Sequence, residues 1–467
     1  MSHNDIYLKD LKKFKNKKAL ILENGQTITY NQLDKEAEVL SKKLPTRKKL
    51  IFLLGENNFE TIVGYLAFVK KGFTVAILDT KINNFFLKNL IKLYKPSFIF
   101  CSKSKKIIFK RFKIITKYKS YVLNQNLNEK EYKINKDLML LMSTSGTTGS
   151  PKFVRQSYAS IAANTKSIVK YLKIDKKDVT ITSLPFSYVY GLSVINSHLY
   201  SGSTIVLTNR STIEKEFWNM VKEFKVNNFS GVPYSYSIIE RIGKKNLLNK
   251  LKYSTQAGGK MNHELISRII NIYKKNKIKF IQMYGSAEAT SRMSYLNWRY
   301  AAKKIGSIGK PIPGGKFILK DSRGKIIKKI NKKGELVYKG KNVCLGYAKN
   351  VNDLNLPDTN NGILYTGDLA YKDKEGFYFI VGRKNRYTKV YGIRVDMSEL
   401  EGLFLKKGFD VVLKEGKENK IAVYNNNSEK IKKTIEIIAH LTGINVNVFQ
   451  SKKLLKKHLT RNFKYKV

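Results

Sequence analysis

One segment of the chain combines small hydroxyl side chains, glycines and a lysine in a pattern that suits an anion. Residues 143–152 read STSGTTGSPK and follow residues 137–142, whose apolar character predicts a strand. Gly146 and Gly149 allow tight turns that aim backbone N–H groups at an anion, while the hydroxyls and Lys152 add donors and charge. The spacing is not that of a Walker P-loop. We therefore predict a phosphate-binding loop between this strand and a following helix.

Six further short sequence motifs occur along the chain, before and after this loop. They are Thr29-Tyr30 with Leu33, Leu184–Gly191 (LPFSYVYG), Ala257–Gly259 (AGG), Tyr284–Glu288 (YGSAE), Tyr365–Asp368 (YTGD), and Gly382 to Glu399 with Arg383, Lys389 and Arg394. Together with the loop they resemble the signatures of the adenylate-forming superfamily, which contains acyl-CoA synthetases, carrier-protein-loading adenylation domains and luciferases. The resemblance covers nearly the whole chain.

The resemblance implies an enzyme that activates a carboxylic acid with ATP and transfers the acyl group to a thiol. The carboxylate would attack the α-phosphate, forming an acyl-adenylate and releasing pyrophosphate. The thiol of CoA, or of the phosphopantetheine of a carrier protein, would then displace AMP. Because two anions must approach each other, positive charge aimed at the α-phosphate is the expected main catalytic contribution. ATP, Mg²⁺ and one of these thiols are the expected cofactors and co-substrates.

The resemblance also implies roles for individual residues in binding ATP. Glu288 would ligate Mg²⁺, Tyr284 would stack on adenine, and Asp368 would accept hydrogen bonds from the ribose hydroxyls. The implied nucleotide-binding residues are Ser143, Thr144, Ser145, Gly146, Thr147, Thr148, Gly149, Lys152, Gly258, Gly259, Tyr284, Asp368 and Arg383.

Two lysines join Glu288 as the catalytic residues that the resemblance implies. Lys464 stands near the C-terminus, where the family keeps its adenylation lysine, although Phe463 replaces the usual Gly and no Pro precedes it. An ordinary solvated lysine is the alternative, since most lysines lie on the surface. Rotation about Asn385 would bring Lys389 in for thioester formation.

A second departure from the family pattern concerns the α-phosphate. Ala287 stands where a Thr usually donates to it, and Ser286 or Thr290 are candidate replacements. Together with Phe463, this leaves open a catalytically idle relative that binds a nucleotide or a carrier protein. Transfer of the acyl group to an amine or a sugar is a further alternative within the enzymes.

Residues 184–191 are expected to contact the acid, with Phe186, Tyr188 and Gly191 as substrate-binding residues and Tyr190 as a further aromatic wall. Amino-acid-activating relatives place an Asp in this segment, and here there is none. A buried ammonium without a counter-charge is costly, so we predict an acid that lacks a free α-amino group. The alternative for the aromatic residues is the hydrophobic core. An amino acid stays the alternative substrate.

The elements that must position these residues alternate between strands and helices. Apolar periodicity over residues 19–100 and 137–300 predicts an α/β fold with a largely parallel sheet, and short strands over 306–383 predict a β-rich subdomain. The expected architecture is a large N-terminal domain (1–384) of mixed sheets layered with helices. A small, mobile α+β C-terminal domain (386–467) completes it.

Composition limits the remaining classes of function. A chain of 467 residues with 42% hydrophobic residues is not intrinsically disordered. The net charge of +54 comes from 76 Lys and only 13 Arg, spread over the whole chain, which is less typical of a specific nucleic-acid footprint than clustered arginine. A binder of nucleic acid or of an anionic membrane is the alternative. An acidic acyl carrier protein is a candidate partner, and CoA phosphates would be attracted equally.

Three further features of the sequence predict the cellular compartment of the protein. Two distant cysteines, Cys101 and Cys344, suit a reducing environment. The N-terminal residues lack the apolar segment of a signal peptide, and no stretch is long and apolar enough for a transmembrane helix. We expect a soluble, cytoplasmic protein without a membrane span.

Overall fold

The computed structural model describes residues 9–105, 112–143, 152–242, 250–383, 387–391, 393–409, 411–416, 418–425 and 430–453. These residues form two compact units, one ending at Gly382 and the other beginning at Arg383. The predicted α/β class, with large mixed sheets and a smaller C-terminal part, is confirmed. The predicted hinge residue, Asn385, lies outside the described residues.

The first third of the chain alternates strands with helices, as its periodicity predicts. The elements are β1 (Lys18–Ile21), β2 (Thr27–Thr29), α1 (Tyr30–Lys42), β3 (Leu50–Gly55), α2 (Phe59–Lys70), β4 (Thr74–Asp79), α3 (Asn84–Tyr94), β5 (Phe98–Ser102), β6 (Phe112–Tyr118), β7 (Tyr121–Asn126) and β8 (Leu138–Ser143). Helix α1 begins at a capping box in which Thr29 and Gln32 each accept a backbone N–H from the other. Strand β3 is an apolar run because it is buried along its whole length.

The middle third continues the alternation. Its elements are β9 (Phe153–Ser157), α4 (Tyr158–Leu172), β10 (Val179–Ile181), α5 (Val189–Ser201), β11 (Thr204–Val206), α6 (Lys215–Glu223), β12 (Asn228–Gly231), α7 (Pro233–Ile242), β13 (Tyr253–Gln256), α8 (His263–Lys275) and β14 (Lys279–Tyr284). Helix α5 is buried on nearly all sides. His198 on this helix is buried and bonded to Val194 and Asn228, which places it in the core.

The rest of the first unit consists mainly of strands. They are β15 (Ser294–Leu296), β16 (Ser307–Pro311), β17 (Gly315–Lys320), β18 (Gly334–Gly340), β19 (Tyr347–Ala348), β20 (Ile363–Lys372) and β21 (Tyr378–Arg383). These strands, apart from β19, extend one sheet of thirteen strands in the order β17-β18-β20-β21-β16-β15-β14-β13-β12-β10-β11-β1-β2. Its strands from β14 to β1 are parallel. The antiparallel pairs are β1–β2, β14–β15, β15–β16, β16–β21, β17–β18 and β18–β20.

The second large sheet has eight strands in the order β19-β9-β8-β4-β3-β5-β7-β6. Only its centre, from β8 to β5, is parallel. The prediction of a largely parallel sheet is therefore wrong at the edges, where hairpins such as β6–β7 and β8–β9 add antiparallel strands.

The connection that contains the predicted phosphate-binding loop also differs from expectation. Strands β8 and β9 pair antiparallel, with Met142 opposite Val154, and residues 144–151 join them. The loop therefore leads into a strand, and helix α4 begins only at Tyr158. The N-terminus of α4 is capped by Ser157 and Ser160. Consequently the prediction that the loop opens directly onto a helix is wrong, and the helix dipole is not its anion-binding device.

The second unit has its own elements and hydrophobic core. They are β22 (Tyr387–Val390), β23 (Ile393–Asp396), α9 (Met397–Lys406), β24 (Val412–Glu415), β25 (Ile421–Asn425), α10 (Lys430–Thr442) and β26 (Phe449–Lys453). Strands β22 and β23 form a hairpin, while β24, β25 and β26 form a three-stranded sheet. In the hairpin Lys389 lies opposite Arg394.

No helix in the described part of the chain is both long enough and apolar enough to span a bilayer. The longest of them, α4, has 15 residues, whereas a membrane span needs about 20.

Candidate active site

The turn between β14 and β15 carries two of the predicted site residues, Tyr284 and Glu288, and its backbone is closely packed. Met293 N–H donates to the Tyr284 carbonyl at 2.9 Å. A Cβ on Gly285 would lie 1.8 Å from the carbonyl oxygen of Ser291. Only glycine fits at this position, so the YG pair of the motif has a steric basis in the turn.

The end of β14 meets β20 through a pair of predicted nucleotide-binding residues. The Tyr284 hydroxyl donates to Asp368 Oδ2, and Asp368 is buried. The backbone N–H of Asp368 donates to Thr366 Oγ1 at 3.1 Å, and the Thr366 hydroxyl donates to the Leu336 carbonyl at 2.6 Å. A carboxylate accepts several hydrogen bonds, so Asp368 retains capacity for ribose hydroxyls while Tyr284 orients it.

Glu288 and Lys152 are brought together by a residue that the sequence motifs do not identify, Tyr347. The Tyr347 hydroxyl donates to Glu288 Oε1 at 2.8 Å, and Lys152 Nζ lies 4.7 Å from the centre of the Tyr347 ring. Tyr347 reaches this position because β19 pairs with β9, where Tyr347 lies opposite Val154. The end of the predicted phosphate loop and the predicted magnesium ligand thus share one tyrosine.

The surroundings of Glu288 fit a magnesium ion that arrives with a nucleotide. Glu288 is buried, and the described residues contain no group of three metal-ligating side chains. Mg²⁺ is usually held by one or two carboxylates, waters and substrate phosphates rather than by an all-protein cage. These surroundings fit the prediction that Glu288 ligates Mg²⁺, which stays a prediction.

The AGG turn after β13 lies against the predicted acid-binding segment. Gly258 has a φ of +83°, and a Cβ there would lie 2.7 Å from Tyr188 Oη. A Cβ on Gly259 would lie 3.1 Å from Pro233 Cγ. Glycine is required at position 258 by both conformation and space. Residues predicted for the nucleotide and for the acid therefore adjoin each other here.

Two tyrosines of the acid-binding segment form an aromatic pair. The ring centres of Tyr188 and Tyr190 are 6.2 Å apart, and the Tyr190 hydroxyl donates to the Thr255 carbonyl at 2.9 Å. Burial raises the pKa of Tyr188 to about 12 and also raises the pKa of Tyr190. Both hydroxyls therefore stay protonated near neutral pH.

The other two predicted acid-binding residues have packing roles. Phe186 is fully buried with its ring centre 5.6 Å from that of Tyr65, so it follows the core alternative. A Cβ on Gly191 would lie 2.3 Å from the Pro185 carbonyl oxygen, so glycine lets α5 begin close to the preceding segment. Direct contact of Gly191 with an acid stays a prediction.

Arg292 is a second residue that the motif analysis did not single out. It lies in the β14–β15 turn, is 1% exposed, and its guanidinium carbon lies 3.8 Å from the centre of the Tyr190 ring. Its position a few residues after the YGSAE motif was visible in the sequence, but its burial was not. A buried cation thus stands beside the aromatic pair.

The prediction that Thr290 could replace a threonine at position 287 as a hydrogen-bond donor to the α-phosphate is wrong. Thr290 is buried, and its hydroxyl lies 3.0 Å from the Asn342 carbonyl and 3.3 Å from the Ser160 carbonyl, to which it can donate. It is committed to the protein backbone rather than to a phosphate. Ser286 makes no capping bond with its side chain and stays a prediction.

Several predicted residues cannot be placed in this geometry. Ser143 is exposed at the end of β8, opposite Phe153. Lys464 and the loop residues Thr144, Ser145, Gly146, Thr147, Thr148 and Gly149 lie outside the described residues, as do the side chains of Arg383 and Lys389. Their roles stay predictions.

Sequence comparison relates this chain to enzymes that bind AMP. A family model described as AMP-binding enzyme matches residues 8–348. The 2-succinylbenzoate–CoA ligase of Oceanobacillus iheyensis is 27% identical over 402 residues, 84% of this chain and 81% of the relative. The 2-succinylbenzoate–CoA ligase of Bacillus licheniformis is 28% identical, but the match covers 58% of this chain and only 54% of that relative.

Solved structures share the fold over nearly the whole chain. An o-succinylbenzoate CoA synthetase (MenE) from Bacillus subtilis, bound with its product analogue OSB-NCoA, has a TM-score of 0.77 at 21% identity and covers 97% of this chain and 98% of its own. A structure of MenE with ATP and magnesium ion has a TM-score of 0.68 at 21% identity, covering 96% and 95%. The fused adenylation–PCP di-domain NpsA-ThdA from Klebsiella oxytoca has a TM-score of 0.74 at 16% identity, covering 95% and 85%.

Proposed function

The chain belongs to the family of AMP-binding enzymes, and we propose that it is an ATP-dependent, AMP-forming ligase that joins a carboxylic acid to a thiol. The observation that carries the proposal is the arrangement around the β14–β15 turn. One side of the turn holds Tyr284 against Asp368, and the other holds Glu288 near Lys152 through Tyr347. A ribose acceptor, a metal ligand and a cation gathered around one turn suit a magnesium nucleotide.

Different residues would bind the ribose, the adenine and the phosphates of ATP. Asp368 would accept hydrogen bonds from the ribose hydroxyls, oriented by the Tyr284 hydroxyl. Tyr284 also offers its ring to adenine, and Gly258 and Gly259 allow the base to approach the backbone. Lys152 and the loop before it would hold the β- and γ-phosphates.

The first half-reaction forms a bond between a carboxylate oxygen and the α-phosphorus. The bond from that phosphorus to the bridging oxygen of the β-phosphate breaks, and pyrophosphate leaves. Glu288 and the phosphates would hold Mg²⁺, which would reduce the repulsion between the anions. We assign Lys464 to stabilising the charge that develops at the α-phosphate.

The second half-reaction transfers the acyl group to sulfur. The thiol loses its proton to solvent, sulfur bonds to the acyl carbon, and the bond from that carbon to the AMP oxygen breaks. We assign the Lys389–Arg394 hairpin to this step, since β22 and β23 set these two residues opposite each other. CoA is the proposed acceptor because the sequence relatives are named CoA ligases.

A carrier protein is the second candidate acceptor, favoured by the likeness to an adenylation–PCP di-domain. Both acceptors present the same phosphopantetheine thiol, so the chemistry of the transfer is shared. They differ in the surface that docks, and the net charge of +54 attracts an acidic carrier protein and the CoA phosphates alike.

The test of the proposed function is product analysis with the full chain, ATP, Mg²⁺, CoA and a panel of acids. We expect AMP, pyrophosphate and an acyl-CoA from one class of acid. Release of ADP and phosphate, or ATP binding without product from any acid, would contradict the proposal. Preformed adenylate offered to CoA, to a phosphopantetheinylated carrier protein and to an amine then identifies the acceptor.

A further inference from the structure

The connection between β17 and β18, residues 320–333, forms a basic surface on the first unit, which we call the basic connection. Seven of its 14 residues are Lys or Arg, compared with 89 of 467 in the whole chain, and Asp321 is its one acidic residue. Six of these cations are exposed: Arg323, Lys325, Lys328, Lys329, Lys332 and Lys333. The density of positive charge is therefore more than twice the average of the chain.

The charge of the basic connection is not neutralised by ion pairs within the described residues. None of its six exposed cations is among the lysines and arginines that pair with a carboxylate there. The Asp321 carboxylate accepts the backbone N–H groups of Arg323 and Lys325, both at 2.9 Å, so it shapes the turn. The cations are thus available to an anionic partner.

Two isoleucines of the basic connection are exposed among these cations. Ile326 is 62% exposed and Ile330 is 47% exposed, whereas Ile327 packs against the hydrophobic core. The Ile327 N–H donates to the Leu319 carbonyl at 2.8 Å, and an isolated bridge pairs Ile326 with Lys320. Because these contacts fix the backbone to β17, the connection presents apolar and basic side chains to solvent together.

An exposed tyrosine on a nearby strand adjoins the basic connection. Tyr365 of β20 is 56% exposed, and its hydroxyl accepts a hydrogen bond from Lys320 Nζ at 2.7 Å. Strand β20 reaches this place because it pairs with β18, where Tyr365 lies opposite Val337. A tyrosine, with an apolar ring and a polar hydroxyl, is typical of the boundary between hydrocarbon and water.

We propose that the basic connection is a docking surface for an anionic lipid bilayer. Its lysines would lie on the headgroup phosphates, with Ile326 and Ile330 at the boundary between headgroups and acyl chains. Lysine suits mobile headgroups because its ammonium is a point charge on a flexible stem and needs no fixed geometry. This inference does not depend on the proposed function.

The side chains of the basic connection favour a bilayer over nucleic acid. An exposed isoleucine gains from contact with hydrocarbon, which neither free phosphate nor a nucleic-acid backbone offers. Nucleic-acid sites favour the arginine fork and aromatic rings that stack on bases. The basic connection contains one Arg and no aromatic residue.

The test of the charged part is cosedimentation of the full chain with phosphatidylcholine vesicles that contain about 30% phosphatidylglycerol. We expect binding to these vesicles but not to pure phosphatidylcholine, and weaker binding as salt rises. The double variant Lys328→Gln, Lys329→Gln should bind about thirtyfold more weakly. The matched control, Lys176→Gln with Lys177→Gln, removes the same charge from two exposed lysines before β10 and should bind almost as wild type does.

The apolar part has a matched pair of its own. Ile326→Ser should weaken binding to the anionic vesicles about tenfold, because the side chain would no longer enter the apolar boundary. Ile213→Ser is the control, since Ile213 is 61% exposed and lies outside the basic connection. The thermal unfolding midpoint of each variant, which we expect to be unchanged for these exposed side chains, shows that the fold is kept.

Several outcomes would overturn the inference. Absence of binding to anionic vesicles, or equal weakening in the lysine variants and their control, would mean that no docking surface lies here. Equal binding of Ile326→Ser and Ile213→Ser would contradict contact with hydrocarbon. Release from the vesicles by inorganic phosphate, but not by chloride of the same ionic strength, would indicate a site for free phosphate. Binding of RNA or an acidic carrier protein that the lysine variants weaken, with vesicle binding unchanged, would assign the surface to that partner.

Discussion

At the scale of single residues, Tyr347 makes the least expected contribution to the site. Its hydroxyl holds Glu288 and its ring lies near Lys152, although these residues are far apart in sequence. A hydrogen bond to a charged group contributes about 1.5–3 kcal/mol. Tyr347 is thus placed to position the metal-binding carboxylate rather than to contact the reacting atoms.

Tyr347→Phe removes only the hydroxyl that orients Glu288. We expect the Mg²⁺ concentration for half-maximal activity to rise about tenfold, with a smaller change at saturating Mg²⁺. A magnesium titration of pyrophosphate release measures this. Tyr300→Phe is the control, since Tyr300 is exposed and its ring packs on Phe377. An unchanged magnesium titration in Tyr347→Phe would refute the positioning role.

The motifs identify the residues that we propose for the nucleotide, but not the residues that support them. Tyr284, Glu288 and Asp368 were predicted from short motifs, and the structure joins Tyr284 to Asp368 across the sheet. Tyr347 and Arg292 lie outside those motifs. Their importance depends on strand pairing and burial, which bring distant segments together and leave no local pattern in the sequence.

At the scale of elements, the β14–β15 turn has to hold a fixed shape. Gly285→Ala would place a Cβ 1.8 Å from the Ser291 carbonyl oxygen, so the turn must shift, at a cost of about 1–3 kcal/mol. We expect a lower midpoint of thermal unfolding and weaker ATP binding, measured by calorimetry. Gly402→Ala is the matched control.

In that control, Gly402 lies in helix α9 with no atom near its added Cβ. Alanine favours a helix over glycine by about 1 kcal/mol, so Gly402→Ala should keep or raise the unfolding midpoint. If both variants behave alike, the steric account of the β14–β15 turn is incorrect.

Helix α5 carries a buried histidine whose titration affects stability. Burial lowers the pKa of His198 below its usual value of 6.5, so the folded protein binds a proton less readily than the unfolded chain. Stability should therefore fall as pH decreases below about 6.5, with a slope of at most about 1.4 kcal/mol per pH unit. Denaturant unfolding of wild-type protein and His198→Gln at several pH values measures it. The same slope in both proteins would exclude His198 as the source.

The order of strands and helices could be predicted from apolar periodicity, but the pairing of strands could not. In the sequence, residues 144–151 resemble a loop that leads from a strand into a helix. The next segment, Phe153–Ser157, is short and ends at Ser157, a good helix cap, so it does not stand out as a strand. Hydrogen bonding to β8 makes that short segment a hairpin strand, which also pairs with β19. Pairing depends on distant backbone, which sequence periodicity does not report.

At the scale of the whole molecule, the proposed site residues are distributed over the two compact units. The first contains Glu288, Asp368, Tyr347 and Arg292, and the second contains the Lys389–Arg394 hairpin. The described part of the first unit thus contains residues that we propose for ATP and for the acid. The predicted adenylation lysine, Lys464, belongs to the C-terminal end of the chain, outside the described residues.

Net charge is a second property of the whole molecule, and it does not select a function. A charge of +54 carried mainly by dispersed lysine attracts phosphates and acidic proteins alike. The contacts among Tyr284, Asp368, Glu288 and Tyr347 are specific, by contrast, and they support a nucleotide-dependent enzyme over a nucleic-acid binder.

The most direct test of the central claim is acid-dependent exchange of labelled pyrophosphate into ATP. We predict exchange with one class of acid in wild-type protein and in Lys466→Ala, a control two residues after the predicted catalytic lysine. Lys464→Ala should lower exchange by at least about a hundredfold, and Asp368→Asn should weaken ATP binding. Exchange that survives in Lys464→Ala would refute the role of that lysine alone. ATP binding without exchange for any acid would contradict the assignment of this chain as an acid-activating ligase.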